Sequence, residues 1–506
     1  MGSGVEAEFK VRIDVAAYRQ LARIEALDGF VLTAKGEKRQ TTTYFDTPDY
    51  ALRRNGVTLR LRRCGRSGEQ TTKIGGNFSL GLAMRPEHSV PHLGRVPVLA
   101  KFPDEAVRQR LEELIAGRPL LPLFSMRILR KAWIARSPNG SVVEMVLDRG
   151  TVTAGERKGD IVEVEFELVE GDRRAVFDLA KVALKGQAFS LSTRTKSDVG
   201  YDLIDERPSD DDRPRFAEPV RLDKDMAVEE ALQLVLRSCA AQISGNVVAV
   251  RASRDPEGAH QLRVGLRRFR SALTAFSRVI AAEQVVRLKD DARWLAAAVG
   301  SVRDLDVLID ELIAPLQPAA DLGALLAVLE KRRSAAHARL AAVMADPRTG
   351  DFLIDLIAFV EGRGWLSTSD IGQSVTLAAP IDDFAEHAVD RLRKKVARLG
   401  HDPAGLTPET RHELRKKYKL LRYAFDFFET VLDKADKRKL LPRVKTAQEV
   451  LGVLNDINMA HVMLDGLAVD GARSPALDRG IGFCLGWHAA RADAIWKRKA
   501  DDLLLG

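Results

Sequence analysis

A shift of 152 positions lays one stretch of this 506-residue chain on another, and that repeat constrains the fold more than any other feature. HQLRVGLRRFRSALTAF, from His260, falls on HELRKKYKLLRYAFDFF, from His412; with no gap, the same shift lays GSVRDLD, from Gly300, on GVLNDIN, from Gly452. His260 thus matches His412, Arg263 matches Arg415, Arg267 matches Lys419, Arg270 matches Arg422, Arg293 matches Lys445 and Asp304 matches Asp456. Apolar residues recur at three and four spacing from Val228 to the C-terminus, so the repeated unit is helical. The expectation is a tandem pair of helical bundles related by a pseudo-twofold axis, over about 220–361 and 381–506, with the break GRGWLSTSDIGQSVTLAAP (Gly362–Pro380) between them.

Before the repeat the texture changes. Val5 to Ile13, Val57 to Arg62, Val142 to Asp148 and Ile161 to Leu168 alternate apolar with polar residues, the period of a strand. Helical patterns interrupt them at Val15 to Ala26, Asp104 to Ala116 and Arg173 to Leu184, which makes this half α+β with a largely antiparallel sheet. DERPSDDDRPRFAEP, with three prolines and an acidic run, reads as a linker. The domains expected are 1–204, a linker at 205–219, and the helical 220–506.

With 45% hydrophobic and 30% charged residues the composition is that of a globular chain, not a disordered one. The net charge of +8 is small for the length, so its local distribution decides which anions are gathered. Cys64, Cys239 and Cys484 are too scattered for a disulfide framework or a thiolate zinc site. No apolar run approaches a membrane span, and MGSGVEAEFK carries no leader pattern; the expected location is cytoplasmic.

In VEAEFKVRI the apolar residues take one face while Glu6, Glu8, Lys10 and Arg12 take the other. Similar charged faces recur: Arg60 and Arg62 in GVTLRLRR, Glu144 and Asp148 in VVEMVLD, and Glu163, Glu165 and Glu167 in IVEVEFEL. Such a sheet is either exposed on its charged face or closed on itself with the charges lining a lumen. Three glutamates in an enclosed row are costly without a cation, and hard oxygen ligands suit Mg²⁺ or Mn²⁺. The basic residues would then hold a multiply charged anion, and the combination suits cleavage of a phosphoanhydride.

The ordered set Glu6-Ala7-Glu8-Phe9-Lys10, YFDTPD, LRLRR, TTKI, RKAW, EMVLDRG, EVEFEL and KSDVGY resembles the CYTH family, the triphosphate tunnel metalloenzymes, over about residues 3 to 203. The resemblance implies an eight-stranded antiparallel tunnel that binds a triphosphate. It implies metal held by Glu6, Glu8, Glu163, Glu165 and Glu167. Lys10, Arg60, Arg62, Lys73, Arg85, Arg130 and Arg194 would grip phosphates, and Lys10, Glu144 and Asp148 would be the catalytic residues. RPEHSVP departs from the family: it keeps Arg85 and Glu87 but has His88 and Ser89 where an aromatic and a second acid are expected.

In the helical half, His260, Arg263, Arg267 and Arg270 fall within about 80° of arc on one helix face, as do His412, Arg415, Lys419 and Arg422. An apolar stripe runs beside each: Leu262, Leu266, Phe269, Leu273 and Phe276, then Leu414, Tyr418, Leu421, Phe425 and Phe428. Salt bridges from Asp304, Asp456, Glu257 or Glu413 would neutralise the basic stripes; two stripes facing each other would instead wall a groove for a linear polyanion. Few aromatics interleave, which argues against stacked single-stranded nucleic acid. This half resembles the CHAD domain, and that resemblance implies binding of inorganic polyphosphate, and association with polyphosphate granules, through the eight stripe residues together with Arg293 and Lys445. The expected function is hydrolysis of inorganic triphosphate to pyrophosphate and phosphate. The competing readings are a polyphosphate-binding adaptor with a degenerate tunnel, and a nucleotide or thiamine triphosphatase or adenylyl cyclase.

Overall fold

Strand β1 (Glu8–Ile13) begins the ordered sheet in the computed structural model. The structure describes all residues except 1–7, 76, 80, 81, 85, 193, 207–212, 368, 404, 468–473, 505 and 506, with backbone alone for 77–79, 82–84, 435–437, 501 and 502. The expected sites Glu6 and Arg85 therefore lie outside the described residues. The chain forms two compact units, Met1–Arg213 with Asp346–Ala358, and Pro214–Ala345 with Phe359–Gly506.

The first unit is an antiparallel sheet of eleven strands among the described residues. After β1 come β2 (Val31–Asp46), β3 (Val57–Cys64), β4 (Ser67–Ile74), β5 (Asn77–Ser79), β6 (Leu82–Met84), β7 (Glu87–Pro91), β8 (Leu121–Arg136), β9 (Val142–Ala154), β10 (Arg157–Glu170) and β11 (Phe189–Leu191). The tunnel expected had eight strands; of the eleven here, β5, β6 and β11 are three residues long, β5 and β6 ending the sheet and β11 pairing with β1. The order β5-β6-β1-β10-β9-β8-β2-β3-β4-β7 puts β6 near one edge and β7 at the other. Yet Met84 and Glu87 are three residues apart, a reach of at most about 11 Å. Eight intervals of a flat sheet would hold these strands about 38 Å apart, so the sheet must curl until its edges meet.

Register shows what the curled sheet encloses. Lys10 faces Glu165, Glu163 faces Asp148, Asp148 faces Arg130, and Arg60 faces both Tyr44 and Thr71, so these side chains share the inner face. Further along the same face the charges give way to Ile161, Val152, Ile128, Met126 and Phe124, which form a buried core with Tyr44 and Tyr201. Tyr201 belongs to the Lys196–Asp205 helix, so one end of the lumen is stoppered by this helix. The outer face packs Val57 and Leu59, beside Leu52 of the Ala51–Arg54 helix, against Val107, Leu111 and Leu114 of the Glu105–Ile115 helix. The helices of this unit are α1 (Val15–Leu21), α2 (Ala51–Arg54), α3 (Glu105–Ile115), α4 (Arg174–Ala183) and α5 (Lys196–Asp205). Helix α1 stops at Leu21, five residues short of the expected Ala26.

The second unit is helical, and its helices follow one another in the same order on the two sides of the 152-residue shift. Its first copy contains α6 (Val228–Ala252), α7 (Pro256–Ala275), α8 (Val286–Asp306), which runs on into a π-helical segment (Val307–Ile313), and α9 (Gly323–Ala345). Next come α10 (Pro347–Glu361), which also supplies the Asp346–Ala358 segment of the first unit, and α11 (Ile371–Ala378), inside the expected break. The second copy contains α12 (Ile381–Leu399), α13 (Pro408–Phe427), α14 (Lys434–Leu467) and α15 (Pro475–Lys499). Shifting α7 by 152 reproduces both ends of α13. Asp255 and Thr407, at equivalent positions, cap these helices with proline at the first turn of each. Between copies, α6 packs on α12, α7 on α13 and α9 on α15. Each element meets its own equivalent, the signature of an isologous, twofold-type interface. No described helix is long and apolar enough to cross a membrane.

Candidate functional site

The inner face of the barrel surrounds a cavity of about 170 Å³ lined by Glu8, Lys10, Arg60, Arg62, Lys73, Arg130, Glu165 and Glu167, all expected there, and also by Tyr44, Thr58, Glu87, Thr195, Lys196 and Ser197. Lys10 Nζ lies 2.7 Å from Glu165, 3.3 Å from Glu8 and 3.6 Å from Glu163. Burial works against its charge, but these carboxylates raise its pKa well above the usual lysine value. On the opposite wall Glu87 sits 3.2 Å from Arg60 and 2.6 Å from Lys73. Burial alone would raise the Glu87 carboxyl; the two cations instead bring it down to about 2. Arg62 is pushed down to about 10, chiefly by Arg60 and then by burial and Arg130. Guanidinium groups crowded enough to repel one another form a ready receptor for a polyanion.

Not every expected residue reaches the cavity. Arg194 pairs with Asp202 of α5 and lines a neighbouring pocket with Arg12 and Ser192, because the chain has already left β11 there. Glu144 lies on the inner face at the rim, where Lys35 holds it at 2.9 Å. A bulge between Ala34 and Gly36 precedes this contact and re-aims the lysine. Asp148 is fully buried: Arg130 donates to both its oxygens at 2.8 and 2.6 Å, and Lys196 Nζ is 2.7 Å away. With both its oxygens engaged, Asp148 anchors Arg130. Glu163 lines the neighbouring pocket, 2.5 Å from Lys196. Ser89 shares the inner face with Glu87 and donates to it at 3.1 Å, while also meeting Thr71 at 2.8 Å. The position expected to hold a second acid therefore supports the first.

In the helical unit the two basic stripes converge where α7 packs on α13. Burial first, and then Arg267 and Arg263, depress the pKa of both Lys419 and Arg415, so all four share one field. Arg263 is held by Asp304 at 2.7 Å, and His412 Nδ1 is 3.0 Å from Asn455 Oδ1. Arg267 donates to the Tyr423 hydroxyl at 2.9 Å. Asp456 lies 3.9 Å from Arg415, and Asp426 takes Arg422 at 2.9 Å. Burial, with Arg293 and Arg267, lowers Arg270. Arg293 pairs with Asp290 at 2.6 Å, and Lys445 is exposed. His260 is lowered by burial and by Arg303.

Residues 4–196 match the model of the CYTH domain, and residues 234–465 match that of the CHAD domain. The chain carries a CYTH domain followed by a CHAD domain. An inorganic triphosphatase of Haemophilus influenzae is 30% identical over 161 residues, 31% of this chain; the match spans 44% of that relative, less than half its length. An uncharacterized protein of Mycobacterium tuberculosis is 25% identical over 435 residues, 79% of this chain and 78% of its own. The crystal structure of the CHAD domain from the plant Ricinus communis is 30% identical and covers 57% of this chain and 96% of its own, with a TM-score of 0.47.

The CYTH family is metal-dependent, and two acidic groupings that share Glu165, one behind the cavity wall and one lining it, could receive a cation. Asp148, Glu163 and Glu165 bring carboxylate oxygens within 4.8 Å of one another. The Lys196 ammonium already stands among them, at 2.7, 2.5 and 2.5 Å. Glu8, Glu165 and Glu167 line the cavity instead. Burial, then the Glu165 charge, raises the Glu8 carboxyl against the pull of Lys10, whose ammonium stands 3.3 Å from the buried Glu8 Oε1 without a well-directed hydrogen bond to it. An all-oxygen carboxylate set fits a hard divalent ion. Lys196 itself was not singled out from the sequence. Its signal is the TKSD quartet: Thr195 and Asp198 form a capping box that starts α5 and places Lys196 at its first position, over the lumen.

Proposed function

We propose that the CYTH domain hydrolyses inorganic triphosphate to pyrophosphate and phosphate, and that the CHAD domain binds inorganic polyphosphate. The observation that carries the first part is that Lys10, Arg60, Arg62, Lys73 and Arg130 line the same cavity as Glu8, Glu165 and Glu167. Arg60, Arg62 and Lys73 hold phosphate oxygens on one wall. Arg130, fixed by Asp148, and Lys10, fixed by Glu165, hold them from the other. Glu8, Glu165 and Glu167, with Glu6, are the residues that would hold Mg²⁺ or Mn²⁺. When bound, the ion neutralises the charge that builds on the phosphoryl oxygens. Catalysis here is positioning and charge stabilisation, with the guanidinium planes keeping the chain in line for attack by water.

Phosphate release from triphosphate by purified protein with Mg²⁺ or Mn²⁺ tests this. Glu8→Gln and Glu165→Gln should each lower kcat by at least about a hundredfold, since each removes charge from the ion's ligand set. A wild-type protein inert on triphosphate but still able to bind polyphosphate would replace the enzyme reading with that of an adaptor. The polyphosphate reading rests on the two basic stripes meeting at the α7–α13 contact. The expected setting for both activities is the cytoplasm.

A further inference from the structure

Four cationic side chains meet where α7 packs on α13: Arg263 and Arg267 from one helix, Arg415 and Lys419 from the other, with Arg267 reaching Tyr423, one turn beyond Lys419 on the same face of α13. Among the described residues, two anionic groups face them. Asp304, on α8, is engaged with Arg263 at 2.7 Å, and Asp456, on α14, is 3.9 Å from Arg415. Tyr423 offers Arg267 a neutral hydroxyl, and Asp426 is taken by Arg422. Among the described residues Lys419 has no ion-pair partner, and the Arg415 Nε is buried without a hydrogen bond. Such a cluster carries more positive charge than its surroundings compensate, and something must relieve it when no anion is bound. Guanidinium groups cannot shed their protons at any accessible pH, whereas an ammonium can. Only Lys419 among the four is able to respond.

We infer that binding of condensed phosphate in this groove is coupled to uptake of one proton by Lys419, making the CHAD domain's affinity pH-dependent across the neutral range. The inference rests on the polyphosphate reading above and adds its proton linkage. Burial first, and then Arg267, Arg415 and Arg263, push the empty-state Lys419 amine down to about 6, with Asp456 acting weakly the other way. A polyanion laid along the stripe reverses the sign of the local field and restores the ammonium. The direction of the linkage follows. Below about pH 6 the lysine is already protonated and affinity is full. Above it each complex must collect a proton, so affinity falls by up to tenfold per pH unit until the bound-state pKa is reached.

Calorimetric titration of the full-length protein with long-chain polyphosphate, in EDTA at pH 7.5, in buffers of differing ionisation enthalpy, reads the number of protons taken up. The wild type should take up about one more proton per groove than Lys419→Arg, which keeps the charge but cannot titrate. Lys419→Arg should also bind more tightly at pH 8 than the wild type and match it near pH 6. His260 and His412 remain in both proteins, so their contribution cancels in the difference. Equal proton counts and equal pH slopes for the two proteins would overturn the linkage while leaving polyphosphate binding intact. Absence of wild-type binding at every pH from 6 to 8 would overturn the groove reading, and the linkage with it.

Discussion

Lys196 places one ammonium at the point where three buried carboxylates meet, an arrangement that a divalent ion would otherwise occupy. Burial opposes its charge, but Asp148, Glu163 and Glu165 raise its pKa. Removing the amine leaves those carboxylates to Lys10 and Arg130 alone. Lys196→Met is expected to destabilise the CYTH domain by about 3–5 kcal/mol, and millimolar Mg²⁺ should restore a part of the lost Tm that it does not add to the wild type. Thermal melts with and without Mg²⁺ measure both. The inward faces of β1, β3 and β10 were legible because alternation fixes side-chain direction within a strand: Lys10, Arg60, Arg62 and the glutamate row lie where parity puts them. Parity says nothing once the chain leaves the sheet, which is why Arg194 was misplaced and Lys196 overlooked two residues later. Nor does it reveal saturation. Asp148 lies on the expected face, but its partners, fixed by register across three strands, leave it no free oxygen.

Helix α5 has two tasks, delivering Lys196 from its first turn and filling the blind end of the lumen with Tyr201, whose hydroxyl donates to Asp46 at 3.0 Å. Gly200 permits this fit, since a Cβ there would meet the Phe124 ring at 2.2–2.5 Å. Gly200→Ala should therefore cost about 1–3 kcal/mol by overpacking, read as a lower Tm and lower triphosphate turnover together. The helical elements were more readily foreseen than the sheet's small parts. Duplication supplies an internal check on helix placement, clearest in the coincident ends of α7 and α13. The three-residue strands β5, β6 and β11 carry too few residues for any period to register. Helix α11 hides in a stretch whose glycines and serines read as a break; its start depends on a cap by Asp370 to the Gln373 amide.

Across the whole chain the charge of +8 separates into two kinds of basic site. In the CYTH domain cations and carboxylates alternate around a cavity; in the CHAD domain cations from two copies share a contact with few carboxylates. Because both copies supply a wall, the charge pairs Arg263 with Arg267 and Arg415 with Lys419 should matter comparably. Neutralising either pair to glutamine is expected to weaken polyphosphate binding roughly tenfold or more at 0.15 M salt and to flatten its salt dependence, by the counterion-release argument that governs polyanions. Fluorescence anisotropy across a salt series checks this, and an effect confined to one pair would contradict a shared groove. The duplication also bears on history. A single ancestral copy could have built the same contact only by pairing with itself, and strict symmetry would have placed identical residues at the positions now held by Arg267 and Lys419. Fusing the copies into one chain released that constraint. One wall could keep a permanently charged arginine while the other acquired a lysine able to lose its proton, an asymmetry no self-paired ancestor could have encoded.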